Sequence, residues 1–359
     1  MNRNRRPSVR ADNGVSGGGG VAPEATISRR AGDAGPLSGK RFVAAIASIG
    51  IAALGYLAAA LWSGWEDVAT ALARVGWQGT SLVLVLSFVS YAIRSLRWAV
   101  FLKALGHPIP RMDNVRIYLA GFALTTTPGK VGETLRSIFL RPYGVPYATS
   151  LGAFFADRFC DLVGIVLITG VLAQRLYPAA RHIAVLLVAI LVLMLLVYIQ
   201  EQRVLRFVEK LAHRISRKTV FAVSARSLAE SALLCLRPRR FALGVAVSCL
   251  AWGLQGFALT CLLARLGIEL PLALTVFLFF FSTLVGAASM IPSGIGSQEA
   301  TLIGLLALYG VDTASGIAAT LILRLGTLWF AVAVGLCCTV FPPARSLQPV
   351  ANASGAGRS

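Results

Sequence analysis

Two glutamates and a small set of arginines fall where charge is costly, inside or beside long apolar runs. Glu133 follows Thr127-Pro128-Gly129-Lys130-Val131-Gly132, and Glu299 follows Pro292-Ser293-Gly294-Ile295-Gly296-Ser297-Gln298. After a similar interval each is followed by an arginine within an apolar run, Arg158 or Arg324. A proline can open a half-helix without loss, because the N–H it lacks has no partner there. Glycines permit a sharp turn and the close approach of a ligand. A half-helix that begins inside a membrane presents free N–H groups and partial positive charge, which suits phosphate. Thr125, Thr126, Thr127, Ser289 and Ser293 can satisfy the backbone groups freed by such breaks.

The candidate binding residues are therefore Thr127, Pro128, Gly129, Lys130, Gly132, Glu133 and Arg136 at the first break. At the second they are Pro292, Gly294, Gly296 and Glu299. Asp157, Arg158, Asp161 and Arg324 complete the set. A charge in lipid costs several kcal/mol unless it is paired or hydrated. Arg158 and Arg324 should thus face the protein interior, with Glu133, Glu299, Asp157 and Asp161 as available partners. Arg136 lies three residues after Glu133, so the two can meet on one helical face. Blander readings stand beside these. Arg158 and Arg324 also read as purely structural ion pairs, and Lys130 as a solvated loop lysine. Arg94 and Arg97 lie near a span's end, where they can snorkel to the cytoplasmic surface. Trp62, Trp65, Trp77, Trp98, Trp252 and Trp329 read as interfacial belt residues.

The elements that must hold these residues are membrane helices. Only 14% of residues are charged and 56% are hydrophobic, whereas about 25% of an ordinary soluble domain is charged. Apolar runs recur at Phe42–Trp62, Gly79–Leu102, Thr149–Leu172, Ile183–Ile199, Phe241–Leu263 and Ala314–Val340. Several reach the roughly 20 residues that a bilayer-spanning helix needs. None alternates at period two, which excludes a barrel reading. Val115–Leu140 and Leu272–Leu308 are interrupted by Pro and Gly. Each of their arms is too short to cross about 30 Å, so each reads as a re-entrant hairpin.

The net charge of +19 comes largely from a tail, residues 1–40, and a loop, residues 201–240. This is the Lys/Arg bias of cytoplasmic segments rather than a nucleic-acid footprint. It predicts cytoplasmic N- and C-termini, a multi-pass chain in a bacterial inner membrane, and contact of the basic loop with anionic headgroups. Residues 1–40 read as a disordered basic tail, 41–341 as the membrane domain and 342–359 as a short polar tail. The six cysteines and three histidines show no metal-ligand spacing, and no nucleotide-binding loop is present, so no cofactor is expected. The cysteines read as inert, mostly buried thiols.

Two halves recur in the same order, about residues 80–172 and 241–340. Leu105-Gly106 and Leu266-Gly267 end their first spans, and a Pro/Gly break, a glutamate and an arginine follow in turn. The charge pattern points the halves in opposite directions, the arrangement that places a transporter's site at the midplane. The predicted fold is all-α and polytopic, with about six to eight membrane helices. Two of these are re-entrant broken helices in an inverted repeat.

Thr127-Pro128-Gly129-Lys130-Val131-Gly132-Glu133-Thr134-Leu135-Arg136 resembles the first signature of the lysylphosphatidylglycerol synthase transmembrane-region family, also called flippase-like proteins. Asp157-Arg158-Phe159-Cys160-Asp161 resembles the second, with Asp157 where Glu is usual. Pro292 to Glu299 resembles the third, with Ser293 where Gly is common, and Ile93-Arg94-Ser95-Leu96-Arg97-Trp98 matches a further pattern. The resemblance covers roughly residues 42–341. It implies a domain that handles lipids. In multiple-peptide-resistance proteins this domain translocates aminoacylated phosphatidylglycerol made by a separate soluble domain. The present chain leaves no room for that synthase, so lysyl transfer is not expected and the protein is read as a non-enzyme. The expected partners are membrane lipids with anionic or lipid-linked headgroups, with a homo-oligomer or a biosynthetic complex as further possibilities. Two other readings stand beside it: a membrane enzyme using Asp157, Asp161, Glu133 and Glu299 for acid–base chemistry, and an accessory component of a lipid, hopanoid or glycolipid pathway.

Overall fold

The computed structural model describes residues 65–123, 125, 134–177, 189, 200–215, 219–289 and 291–341. The predicted spans Phe42–Trp62 and Ile183–Ile199 lie outside them, apart from Ala189, as do the tails and most of the first break. Among the described residues all regular structure is helical. This is the expected outcome where lipid offers the backbone no hydrogen bonds.

The helices are α1 (Trp65–Ala104), α2 (Arg111–Ala120), α3 (Thr134–Leu140), α4 (Tyr147–Leu176), α5 (Glu201–Ile215), α6 (Thr219–Cys235), α7 (Pro238–Arg265), α8 (Leu272–Ala288), α9 (Ser297–Leu308), α10 (Thr313–Arg324) and α11 (Phe330–Val340). A π-turn, Leu325–Trp329, joins α10 to α11. Among the described residues three helical segments are long and apolar enough to cross a membrane: Glu66–Ala104, Pro238–Arg265 and Thr313–Val340. The first is broken at Gly76, whose positive φ of 62° no continuous helix allows. The predicted span Gly79–Leu102 lies wholly after that break.

Prolines mark the starts. Pro110, Pro146 and Pro271 immediately precede α2, α4 and α8, and Pro238 opens α7. Glycines mark the ends in matched fashion. After α1, His107 N–H donates to the Leu102 carbonyl and Gly106 N–H to that of Lys103. After α7, Ile268 N–H donates to Leu263 and Gly267 N–H to Ala264. Both are left-handed glycine caps of the same kind. Each half thus runs from a long helix through a glycine cap to a shorter helix, then to a short helix and a final long one. In the second half that final helix is the α10–α11 pair.

The halves interlock. α1 lies along α7; α4 packs on α7 and α8, while α10 packs on α1 and α11 on α2. The final helix of each half is therefore held by the opening helices of the other. One core centres on Leu259, Leu278, Phe279, Phe280, Leu302 and Leu323, and another on Tyr91, Trp98, Phe101, Tyr118 and Leu140. Lipid tails are as apolar as leucine, so close packing and polar links rather than water expulsion must hold such helices together.

Candidate functional site

The richest of those polar links joins α1, α4 and α7. Arg94 and Arg97, one turn apart on α1, face Asp157 and Asp161, one turn apart on α4. All four are almost fully buried. Arg97 Nε donates to Asp157 Oδ1 at 2.7 Å, and its Nη2 to Asp161 Oδ1 at 2.9 Å. Arg97 Nη1 donates to the Gly244 carbonyl and to Ser248 Oγ on α7, and Ser248 Oγ donates on to Asp161 Oδ1 at 2.8 Å. Arg94 Nη2 reaches Asp161 Oδ2 at 2.6 Å and its guanidinium lies 4.8 Å from the Trp252 ring centre. Arg158 adds a third cation, 2.5 Å from Asp157 Oδ2 and 3.2 Å from Asp161 Oδ2. Its side chain keeps 21% exposure. Three guanidiniums thus share two carboxylates, with bonds spread over three helices.

The second ion site is simpler. Glu299 stands at the third position of α9, where its Oε2 accepts from the Gly296 N–H at 2.8 Å. A carboxylate there also meets the positive end of the helix. Its Oε1 accepts from Arg324 Nε at 2.6 Å, and Arg324 Nη2 donates to the Ser293 carbonyl at 2.9 Å. Ser293 has φ 54°, the one described residue other than glycine with positive φ. Its Oγ donates to the Thr125 carbonyl at 3.0 Å, so the two interrupted stretches touch. A Cβ at Gly294 would press on the Gly286 backbone, which keeps this turn tight against α8. Arg324 also ends α10 at the π-turn. The irregular carbonyls of that turn, Gly326 and Thr327, accept from Tyr91 Oη at 2.6 and 3.2 Å.

Arg136 forms a third feature. It is 1% exposed; its Nε donates to the Tyr118 carbonyl at 3.1 Å, and its guanidinium stacks over Tyr118, Trp98 and Phe122 at 4.1, 5.2 and 5.4 Å. Its Nη1 and Nη2, Trp98 Nε1 and the Tyr118 hydroxyl have no hydrogen-bond partner among the described residues. Buried donors without acceptors are costly, so this aromatic pocket concentrates unused donor capacity.

Of the predicted residues, Asp157, Arg158 and Asp161 come together, and Glu299 and Arg324 pair beside Pro292, Gly294 and Gly296. Thr127, Pro128, Gly129, Lys130, Gly132 and Glu133 lie outside the described residues, and with them any Glu133–Arg136 contact. Two expectations are corrected. Arg94 and Arg97 do not snorkel; carboxylates on α4 hold them inside. Trp98 is not a belt residue, because Arg136 covers it and it is fully buried. Trp252 instead takes the face of Arg94. Sequence reasoning missed Ser248, Tyr91, Tyr118 and the π-turn. Serines and tyrosines inside apolar helices were the available signal, since each must find a partner there. Cys160 is buried as expected, and so is Cys235, the one cysteine outside the apolar runs, whereas Cys337, inside one, is exposed.

Outside the membrane helices, Asp312 caps α10 by accepting from Ser315 N–H at 2.8 Å. Burial alone would raise this carboxyl. The hydrogen bonds from Ser315, joined by the backbone N–H groups of Asp312 and Ala314, together outweigh that and hold it below its ordinary value.

Residues 45–335 match the lysylphosphatidylglycerol synthase TM region. The chain is 26% identical over 296 residues to a UPF0104 membrane protein of Methanothermobacter thermautotrophicus, covering 78% of this chain and 88% of that one. It is 25% identical over 304 residues to a UPF0104 membrane protein of Pyrococcus horikoshii, covering 76% and 90% respectively.

Proposed function

Because the chain belongs to the lysylphosphatidylglycerol synthase TM-region family of membrane proteins, we propose that it moves a lipid or lipid-linked molecule between leaflets. The observation that carries this reading is the contact between the two interrupted stretches, Ser293 Oγ on the Thr125 carbonyl, beside the buried Arg324–Glu299 pair. Broken helices meeting at a polar point are where transporters of this kind bind their cargo. The substrate carries an anionic headgroup. Arg158, Arg324 and the unused donors of Arg136 are its recognition elements, since arginine forks match phosphate oxygens. In this reading the chain crosses a bacterial inner membrane about six times, with two re-entrant hairpins and both termini cytoplasmic. A gradient or simple equilibration drives the movement.

The test is lipid transfer in proteoliposomes, with fluorescent lipids that differ only in headgroup. Headgroup-selective transfer that falls at least tenfold in Arg324→Ala and Glu299→Gln, with folded protein verified, is the expected result. No transfer of any lipid by folded wild-type protein overturns it.

A further inference from the structure

Helix α5 is built unlike the spans. Its 15 residues measure about 22 Å, short of the roughly 30 Å hydrocarbon layer. At 100° per residue Arg203, Arg206 and Lys210 fall within one arc; Phe207 and Leu211 flank it, and Val208, Ala212 and Leu205 follow round to the far side. The apolar arc is used unevenly. Leu205 and Ala212 are buried against α6, and Glu209 anchors the pairing by accepting from Arg226 Nη1 at 3.0 Å. Phe207 and Leu211 are left 65% and 45% exposed, beside the exposed Arg203 and Lys210.

We propose that α5 lies in the cytoplasmic headgroup layer and binds anionic phospholipid, with Phe207 and Leu211 dipping into the acyl region. Arg203, Arg206 and Lys210 would then meet the phosphates. Three features favour this occupant. The helix is too short and too charged to span; its exposed aromatic and leucine adjoin its cations rather than opposing them; and that pairing is what an interface of hydrocarbon below phosphate accommodates. α5 docks on α6, and α6 on α4, the helix that carries Asp157, Arg158 and Asp161. Headgroup charge thus has a short physical route to the ion cluster. The inference does not require the transport reading.

The experiment is hydrogen–deuterium exchange of the full chain in nanodiscs of phosphatidylcholine alone or of an equimolar mixture with phosphatidylglycerol. Amides of residues 201–215 should exchange more slowly in the mixture, and high salt should erase the difference. Removing the charges in Arg203→Gln/Arg206→Gln/Lys210→Gln should shift the phosphatidylglycerol concentration for half-maximal protection upward by about fivefold per charge. Phe207→Ser/Leu211→Ser should lose protection in both lipids. Equal exchange in the two lipids overturns the proposal, as does a triple variant that keeps the full difference. So does protection that tracks the number of protein copies per disc instead of the lipid, which would assign the face to a second copy.

Discussion

Arg97 and Arg324 are both buried arginines facing carboxylates, yet the two sites are built differently. Arg97 is held by Asp157, Asp161, Ser248 and the Gly244 carbonyl, and its acceptors are shared with Arg94 and Arg158. Arg324 is held by Glu299 and by the carbonyl of Ser293, a residue in a left-handed conformation. The first site joins regular helices on every side. The second joins a helix start, a strained turn and a π-turn, all irregular. Non-helical backbone at membrane depth persists only where protein or a polar cavity surrounds it, and strain gathers where parts must rearrange. On the transport reading, the contrast separates a clasp, which fixes three helices, from a hinge, which ties the two interrupted stretches through few bonds.

The clasp should give the largest loss on breakage. Asp161→Asn keeps the shape but removes the carboxylate that serves Arg94, Arg97 and Arg158. Losing one partner of a buried pair leaves an uncompensated charge worth about 3–5 kcal/mol. Thermal melting in detergent should show that loss, and expression of folded protein should fall with it. A variant that melts with the wild type would dissolve the distinction between clasp and hinge.

Glu299→Gln should cost less stability than the clasp variant and stop transfer. The buried Arg324 loses its carboxylate but keeps the Ser293 carbonyl and gains an amide oxygen, which puts the cost near the low end of about 3–5 kcal/mol. The double variant Glu299→Gln/Arg324→Gln should melt higher than the sum of the single losses predicts, because neither charge is then left alone. If the pair instead proves additive, the two groups do not communicate across 2.6 Å and the hinge assignment fails.

Strain at the hinge can be isolated by a small comparison. Ser293→Gly and Ser293→Ala both lose the bond to Thr125, but only glycine adopts φ 54° without penalty. The glycine variant should be more stable than the alanine variant by about 1 kcal/mol. Equal melting temperatures would mean that the turn relaxes and stores no strain.

Much of this contrast was legible beforehand. The Pro/Gly breaks, the glutamate after each and the arginine beyond it are explicit in the sequence, because lipid makes such residues expensive and therefore conspicuous. The pairing of Arg94 and Arg97 with Asp157 and Asp161 was also available: one turn separates the residues on each helix. What hides it is that Arg97 stands near the end of its apolar run, and distance from a span's end says nothing about which helix lies alongside. Ser248, Tyr91 and the π-turn were out of reach for a related reason. A hydroxyl in an apolar helix signals that a partner exists, but the partners, Arg97 and the carbonyls of Gly326 and Thr327, are set by packing between halves far apart in sequence.

The smallest effect lies at the exposed end of the hinge helix. α10 carries Arg324 at one end and is capped at the other by Asp312, which accepts from Ser315 N–H. Removing that cap in Asp312→Ala should cost about 1 kcal/mol. Because the folded carboxyl sits below its ordinary value of about 4, its contribution is complete above that value and fades as pH falls through the lowered one. Asp312→Asn keeps an acceptor but cannot titrate. The stability gap between wild type and Asp312→Asn should therefore narrow as the pH is lowered below about 4, measured by melting in an acid-stable detergent. The other end of α10, at Arg324 and Glu299, is buried. A pH-dependent gap confined to Asp312 would show that α10 responds to water at one end only, as a hinge helix anchored in a buried site should.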